Sequence, residues 1–173
     1  MKIKTWQVIV VIISLILGTL LHFTYEWSGR NTLVGVFSAV NESTWEHLKL
    51  TFYPMLLMAI IGYFVIGEQS KNYWASQAIG IFVAIAFITI FFYTYTGITG
   101  VNIDILNIGS FIVAVILGQY ITYRILASEN FYNVELMSII LLSLLLLIFI
   151  LYTFNPPQIP YFKDPINGTY AIQ

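Results

Sequence analysis

Val134-Glu-Leu-Met-Ser-Ile-Ile-Leu-Leu-Ser-Leu-Leu-Leu-Leu-Ile-Phe-Ile-Leu-Tyr-Thr-Phe154 is the stretch that decides the fold. Glu135 is the only charged residue in it. An α-helix needs about 20 mostly apolar residues to cross the hydrocarbon core of a bilayer. The stretch has that length and that character, so it predicts a transmembrane helix.

Four more segments share this length and apolar character. They lie near Trp6–Phe23, Leu48–Ile66, Ala75–Thr96 and Ile103–Ile125. The last three connections, at residues 67–73, 97–100 and 127–130, are short and polar, which forces neighbouring helices to run antiparallel. We therefore predict an all-α integral membrane protein: a five-transmembrane-helix up-and-down bundle that forms a single membrane domain over residues 1–173.

The composition excludes several classes of protein. The chain is 59% hydrophobic and 9% charged, values far from those of soluble globular domains. Because it has no cysteine, it has neither disulfides nor thiolate ligands or nucleophiles. A net charge of -1 without a basic run argues against nucleic acid as a partner. The expected partner is membrane lipid, and a homo-oligomer or another membrane protein is a further alternative.

The start of the chain resembles a secretory signal, with two lysines before an apolar run. No small-residue cleavage site follows that run, so we interpret it as the first transmembrane helix. Lysine and arginine favour the cytoplasmic side of short loops. By a narrow margin this rule predicts a cytoplasmic N-terminus and an external C-terminus, with Lys2, Lys4, Lys71 and Arg124 inside and Arg30, Lys49 and Lys163 outside.

The predicted topology brings most polar side chains to one membrane face. The connection Thr24–His47, the turn Gly97–Asp104 and the tail 155–173 all emerge there. The long first connection carries apolar residues, so we expect it to be partly re-entrant. We expect the Pro-rich tail to be extended and to pack across this face as a lid. Five of the eight acidic residues and both histidines belong to the face: Glu26, Glu42, Glu46, Asp104, Asp164, His22 and His47.

The block Asn41-Glu-Ser-Thr-Trp-Glu-His-Leu-Lys49 concentrates the scarce ionisable groups beside an apolar helix. Ser43-Thr-Trp-Glu46 fits a capping box, in which Ser43 caps the Glu46 amide and the Glu46 carboxylate reaches back to the helix start. On a helix, Glu42 and Glu46 would share a face, and Glu46 could pair with Lys49 three residues later. Because charge at membrane depth is costly, function is expected here.

The histidines and carboxylates of this face form a candidate metal site. His22 and Glu26 have the i, i+4 spacing with which one helix face can hold a cation. A set of imidazoles and carboxylates without thiolate suits zinc, manganese or iron. Structural hydrogen bonding and proton or ion handling are the alternatives. The candidate divalent-metal ligands are His22, Glu26, Glu46 and His47, and the candidate pocket residues are Asn41, Glu42, Trp45, Lys49 and Asp104.

Three stretches carry a resemblance to a known family. They are Phe23-Thr-Tyr-Glu-Trp-Ser28, the block with the pattern Asn-Glu-Ser-x-Trp-Glu-His-x-Lys at 41–49, and the Pro-rich tail Pro156–Tyr170. The chain is similar to an uncharacterised family of small bacterial multi-pass membrane proteins, named only as a domain of unknown function. The resemblance implies a bacterial cell membrane location and supplies no activity.

We therefore expect an integral membrane protein with a polar His/Glu pocket at one membrane face that binds a divalent metal or a small polar ligand. If the protein is an enzyme, which the sequence leaves open, the metal would activate water and Glu46 would be the catalytic base. The first alternative is a small transporter or channel subunit, for which helices three and five offer only Thr89, Ser138 and Ser143 as polar groups in their middle. The second is an assembly or partner protein for another membrane complex.

Overall fold

The computed structural model describes residues 1–128 and 134–172, and these residues form helices joined by turns and extended segments. In the described part of the chain, five helices are long and apolar enough to cross a membrane, which confirms the predicted all-helical class. The connection predicted at 127–130 lies partly outside the described residues. The helices are α1 Ile3–Trp27, α2 Thr32–Phe37, α3 Thr44–Ile66, α4 Tyr73–Thr99, α5 Asp104–Leu126 and α6 Glu135–Phe154, with 3-10 turns at Gly67–Gln69 and Pro160–Phe162.

Helix α3 is the centre of the bundle. In its most apolar window 61% of the residues are buried, against 22% for α1 and for α6. It contacts α1 and α4, while α5 contacts both of those helices and α6 packs on α4. The surrounding helices leave large apolar side chains on the outside, such as Ile90 at 66% and Leu136 at 71% exposure. An apolar exterior of this kind is what a lipid-facing surface requires.

The helices near the first connection extend further than the hydropathy of the sequence predicts. Helix α1 continues to Trp27 and α3 already begins at Thr44, so the connection shrinks to residues 28–43 and contains α2. Hydropathy falls at the first polar residues, but α1 ends only where the backbone turns left-handed, at Gly29 (φ 69°) and Arg30 (φ 62°). Both histidines therefore lie within helices.

The C-terminal tail folds back on the bundle. The Ile172 amide donates to the Thr153 carbonyl at 2.9 Å, and the Asn41 side chain donates to the Ala171 carbonyl at 3.3 Å. Phe162 is buried against Trp45, with ring centroids 5.0 Å apart. These contacts agree with the expected lid. Asp164, counted above with the polar face, is buried and closes a turn within the tail by accepting from local amides.

Helices α4 and α5 touch through two glycines. A Cβ at Gly118 would lie 2.6 Å from the Gly80 carbonyl oxygen, and a Cβ at Gly80 would lie 2.6 Å from the Gly118 carbonyl oxygen. Neither backbone can give way without separating the helices. Close approach through small residues is the usual way for helices to associate in membranes.

Gly118→Ala is expected to lower the stability of the protein by about 1–3 kcal/mol, because the added methyl group overpacks this contact. Gly109 on the same helix is the matched control, since within the described residues no atom lies near its Cβ position. Gly109→Ala should be neutral or stabilising by up to about 1 kcal/mol. Thermal unfolding in one detergent compares the two variants, and equal effects would contradict the packing assignment.

Candidate functional site

The two histidines meet at one end of the bundle. His22 lies in the penultimate turn of α1, and His47 lies in the first turn of α3. Their ring centroids are 5.3 Å apart, and the rings are tilted by 37°. Glu42 completes the group, with its Oε2 atom 3.3 Å from His47 Nε2. One ligand atom from each of the three side chains lies within 4.8 Å of the others, so the group is able to hold a metal ion. We call these three residues the histidine cluster.

The start of α3 positions Glu42. Ser43 is the N-cap, and its Oγ accepts from the Glu46 amide at 3.3 Å, as the capping box predicts. The Ser43 amide donates to Asn41 Oδ1 at 2.9 Å, where the capping box would have placed the Glu46 carboxylate. This Asx turn holds residues 41–43 outside the helix. Glu42 therefore does not share a helix face with Glu46, and it reaches His47 instead.

The protonation of His47 is constrained by the backbone. Its Nδ1 atom lies 2.9 Å from the Ser43 carbonyl oxygen. A carbonyl only accepts, so Nδ1 must carry a proton and donate it. The Nε2 atom then faces the Glu42 carboxylate in one of two states. It either carries a second proton and donates it to the carboxylate, or it is unprotonated and shares a cation with the carboxylate through its lone pair. A backbone carbonyl that accepts from the other ring nitrogen, as that of Ser43 does here, is a usual outer partner of a metal-bound histidine.

The contact with His47 changes the pKa of Glu42. The hydrogen bond from His47 holds the pKa of the Glu42 carboxyl below its usual range, against the opposing effect of partial burial. A carboxyl with a lowered folded pKa stabilises the protein fully above the ordinary glutamate pKa of 4.5. That stabilisation is lost as the pH falls through the lowered pKa.

In metal-free protein, the difference in thermal stability between wild type and Glu42→Gln is therefore expected to be constant from pH 6 to pH 5 and to shrink below about 4.5. Thermal scans at half-unit pH intervals in the presence of a chelator measure it. A difference that stays constant down to pH 3 would show that Glu42 makes no ionic contact with His47.

His22 contributes a desolvated nitrogen to the cluster. Its Nδ1 atom is buried and has no hydrogen-bond partner among the described residues. A buried polar atom without a partner costs free energy, and a bound ligand at the cluster would remove that cost. The ring also packs edge-on against Phe23, with ring centroids 4.8 Å apart.

Two of the predicted site residues lie apart from the cluster. Glu26 is 63% exposed and pairs with Arg30 at 3.1 Å, at the i, i+4 spacing that it also has from His22. Asp104 is exposed at the start of α5. In the structure neither of them belongs to the set of three ligand atoms. Arg30, three residues beyond the end of α1, engages the Glu26 carboxylate in this exposed ion pair, apart from the histidines.

Glu46 and Lys49 form a separate, buried ion pair. Glu46 Oε2 lies 2.7 Å from Lys49 Nζ, and the two residues are 2% and 0% exposed. The same carboxylate oxygen accepts from the Val40 amide at 3.0 Å. Lys49 Nζ also donates to the Gly35 carbonyl at 3.0 Å and to Thr153 Oγ1 at 2.6 Å. The pair therefore ties α2, α3 and α6 together, and its contacts are those of a structural element.

Trp45 and Asn41 pack and hydrogen-bond around the histidine cluster and do not belong to it. Trp45 stacks on Phe149 of α6 at 4.5 Å and contacts Phe162 of the tail. Asn41 forms the Asx turn and also holds the tail through the Ala171 carbonyl. The sequence predicts Glu42 as a pocket residue but not as a metal ligand. The Asn41-x-Ser43 pattern is the signal that could have shown that Glu42 precedes the helix.

The profile of a protein family described as "Family of unknown function (DUF6512)" matches residues 1–172. This match covers nearly the whole chain and bears out the resemblance to a family of unknown function. No curated protein and no solved structure matches the chain.

Proposed function

The chain belongs to the DUF6512 family, a family of unknown function, and we propose that it is a multi-pass membrane protein that binds a divalent transition-metal ion at one membrane face. The histidine cluster is the binding site. The observation that carries the proposal is the orientation of His47, whose Nδ1 donates to the Ser43 carbonyl and whose Nε2 faces Glu42 Oε2 at 3.3 Å. That arrangement leaves the Nε2 lone pair and a carboxylate oxygen to share one cation.

The ligand types favour zinc. Two imidazoles and one carboxylate, with a fourth position open, form a set that zinc accepts and that calcium and magnesium, which prefer oxygen, do not. Iron(II) accepts the same two-histidine, one-carboxylate set. An open position would allow the ion to bind a water molecule or a small polar ligand.

The membrane assignment is supported by the five long apolar helices and by the apolar exterior of the bundle. We place the N-terminus in the cytoplasm, on the balance of lysine and arginine in the loops. That the cell is bacterial is what the family resemblance implies. In this orientation the histidine cluster lies at the outer face of the membrane, beside the folded tail. A homo-oligomer or a membrane-protein partner is compatible with this arrangement.

Glu46 is not the base in this proposal. Its carboxylate is buried and engaged by Lys49 and the Val40 amide. A base must be within hydrogen-bond reach of the water it deprotonates. We therefore propose a metal-binding role and assign no reaction.

Titration of the chelator-treated protein with zinc, followed by calorimetry, tests the proposal. Wild type is expected to bind one zinc ion per chain, whereas magnesium should give no saturable binding. Glu42→Gln and Glu26→Gln are matched carboxylate changes at the same end of the bundle. Only Glu42→Gln should weaken zinc binding, by about 10-fold or more. Equal affinity in wild type and Glu42→Gln would contradict the site.

A further inference from the structure

The interior of the bundle contains polar side chains that the histidine cluster does not use. Four of them are buried, at 5% exposure or less, and have polar atoms without a hydrogen-bond partner in the part of the chain that the structure describes. For both glutamines, neither the amide oxygen nor the amide nitrogen has a hydrogen-bond partner among the described residues. The four are Gln7 and Ser14 on α1, Thr51 on α3 and Gln119 on α5.

Close contacts fix the register of α1 against α3. A Cβ at Gly18 would meet the Leu50 carbonyl, and a Cβ at Gly62 would lie 2.6 Å from Trp6 Nε1. The ring contact between His22 and His47 continues the same antiparallel register. In this register, Ser14 lies level with the middle of α3, near residue 54, and Gln7 lies level with residue 61.

Two further contacts place α5 beside them. Phe111 is 2.6 Å from a Cβ at Gly18, and Met55 Cε is 3.1 Å from a Cβ at Gly118. Helices α3 and α5 therefore run in the same direction, with Gln119 level with residues 56–57 of α3. Ser14 lies one turn from Gly18, on the face of α1 that contacts α3. Thr51 lies one turn from His47, on the face of α3 that contacts α1.

The polar groups consequently follow one another along the bundle at regular depths. From His47 the order is Thr51, then Ser14, then Gln119, then Gln7. At 1.5 Å per residue, each step along the axis is roughly 4–7 Å. None of the four side chains has a hydrogen-bond partner in the part of the chain that the structure describes. A water molecule that bonds to two successive groups spans more than a single hydrogen bond of about 3 Å, and so suits groups that follow one another at such offsets.

We propose that these four side chains hold a column of bound water that carries protons between the histidine cluster and the opposite end of the bundle. Buried water typically satisfies polar atoms that lack protein partners. Each water molecule accepts one proton and donates another, so one proton enters at one end and one leaves at the other. A divalent ion would not follow this route, because hydroxyl and amide groups are neutral and do not offset its charge in an apolar interior.

The column differs from the polar groups that the sequence offered for a transport path. Ser138 donates to the Val134 carbonyl of its own helix, and Thr89 is bonded to the Ile85 carbonyl and to Tyr161. Their hydrogen-bonding capacity is used within the protein. In the described residues, the four column side chains, which have unpartnered polar atoms, are carried by α1, α3 and α5.

Proton flux into vesicles tests the proposal. The full-length protein is reconstituted into phosphatidylcholine and phosphatidylglycerol vesicles that contain a pH-sensitive dye, with a chelator present, and a valinomycin-clamped potassium gradient drives protons inward. Wild-type vesicles are expected to change pH faster than protein-free vesicles. Ser14→Val and Gln119→Leu should return the rate to that of protein-free vesicles, while Thr89→Val should keep the wild-type rate. Wild-type vesicles no faster than protein-free ones would overturn the proposal, as would unchanged flux in both column variants.

Thermal stability gives a second, independent readout on Gln7→Leu and Thr51→Val. If the column is dry, replacing an unpartnered polar group with an apolar one of similar size should raise the unfolding temperature. If water bridges the groups, the replacement removes hydrogen bonds to that water and should lower the unfolding temperature. A rise in both variants would overturn the proposal. Zinc titration of Ser14→Val, expected to match wild type, separates failure of the column from failure of the metal site.

Discussion

His47→Ala is expected to weaken zinc binding by more than about 100-fold, because loss of an outer partner of a metal ligand alone costs about 10–100-fold and His47 is proposed as a direct ligand. His22→Ala should have an effect of the same order. Both rings face the shared position from different helices, so neither can substitute for the other. Calorimetric titration of the detergent-solubilised protein measures the change.

His47→Asn separates ligation from the structural role of the ring. The asparagine amide nitrogen takes the position of His47 Nδ1 and can still donate to the Ser43 carbonyl, but it is a poor zinc ligand. This variant should unfold at about the temperature of metal-free Glu42→Gln, which lacks the same ionic contact, and should lose zinc binding. Zinc affinity near wild type in His47→Ala would remove His47 from the site.

Glu46→Gln is expected to destabilise the protein by about 3–5 kcal/mol, because it leaves the buried Lys49 charge without its counter-ion. A glutamate that only capped the helix would cost on the order of 1 kcal/mol. Zinc affinity of the folded fraction should stay within a factor of a few of wild type. Thermal unfolding and zinc titration of the same preparation give both numbers.

The double variant Glu46→Met/Lys49→Met is the control for that result. Replacing both members of a buried ion pair with apolar residues of similar volume is often neutral or stabilising. The double change should therefore cost less than Glu46→Gln alone. If Glu46→Gln retained full stability but lost zinc, Glu46 would return to the metal site as a ligand or base.

The long helices are predictable because each is set by local composition. A run of about 20 apolar residues has no other stable fate in a bilayer, and the five segments appear as five long helices. Their ends are less predictable. Helix α1 passes four residues beyond Phe23 to Trp27 because helical hydrogen bonds continue through polar residues until the left-handed turn at Gly29.

The site shows the same division between local and tertiary information. The Glu46–Lys49 pair follows from i, i+3 spacing on one helix. The contact between Glu42 and His47 depends on where α3 starts, and a shift of one turn would have put Glu42 on the face of Glu46. The competition of Arg30 for Glu26 was visible in the sequence as i, i+4 spacing, and it decides which carboxylate stays away from the histidines.

The polar column could not be predicted from the composition of the segments, for a different reason. The mean hydropathy of a window of about 20 residues averages one serine or glutamine with many apolar neighbours. Ser14 and Gln119 therefore do not lower the mean hydropathy of their segments noticeably. Whether such a group faces lipid or the interior depends on the rotation of the helix about its axis. The packing of Gly18 and Gly118 against neighbouring helices sets that rotation. It depends on residues of other helices, so the sequence of one segment does not predict it.

The most direct test of the metal site is X-ray absorption at the zinc edge on protein loaded with one equivalent of zinc. We expect a first shell of nitrogen and oxygen at about 2.0–2.1 Å, with the outer-shell scattering of two imidazoles, one of which disappears in His22→Ala. A spectrum of zinc bound only to oxygen, without imidazole scattering, would contradict a site built from His22, Glu42 and His47.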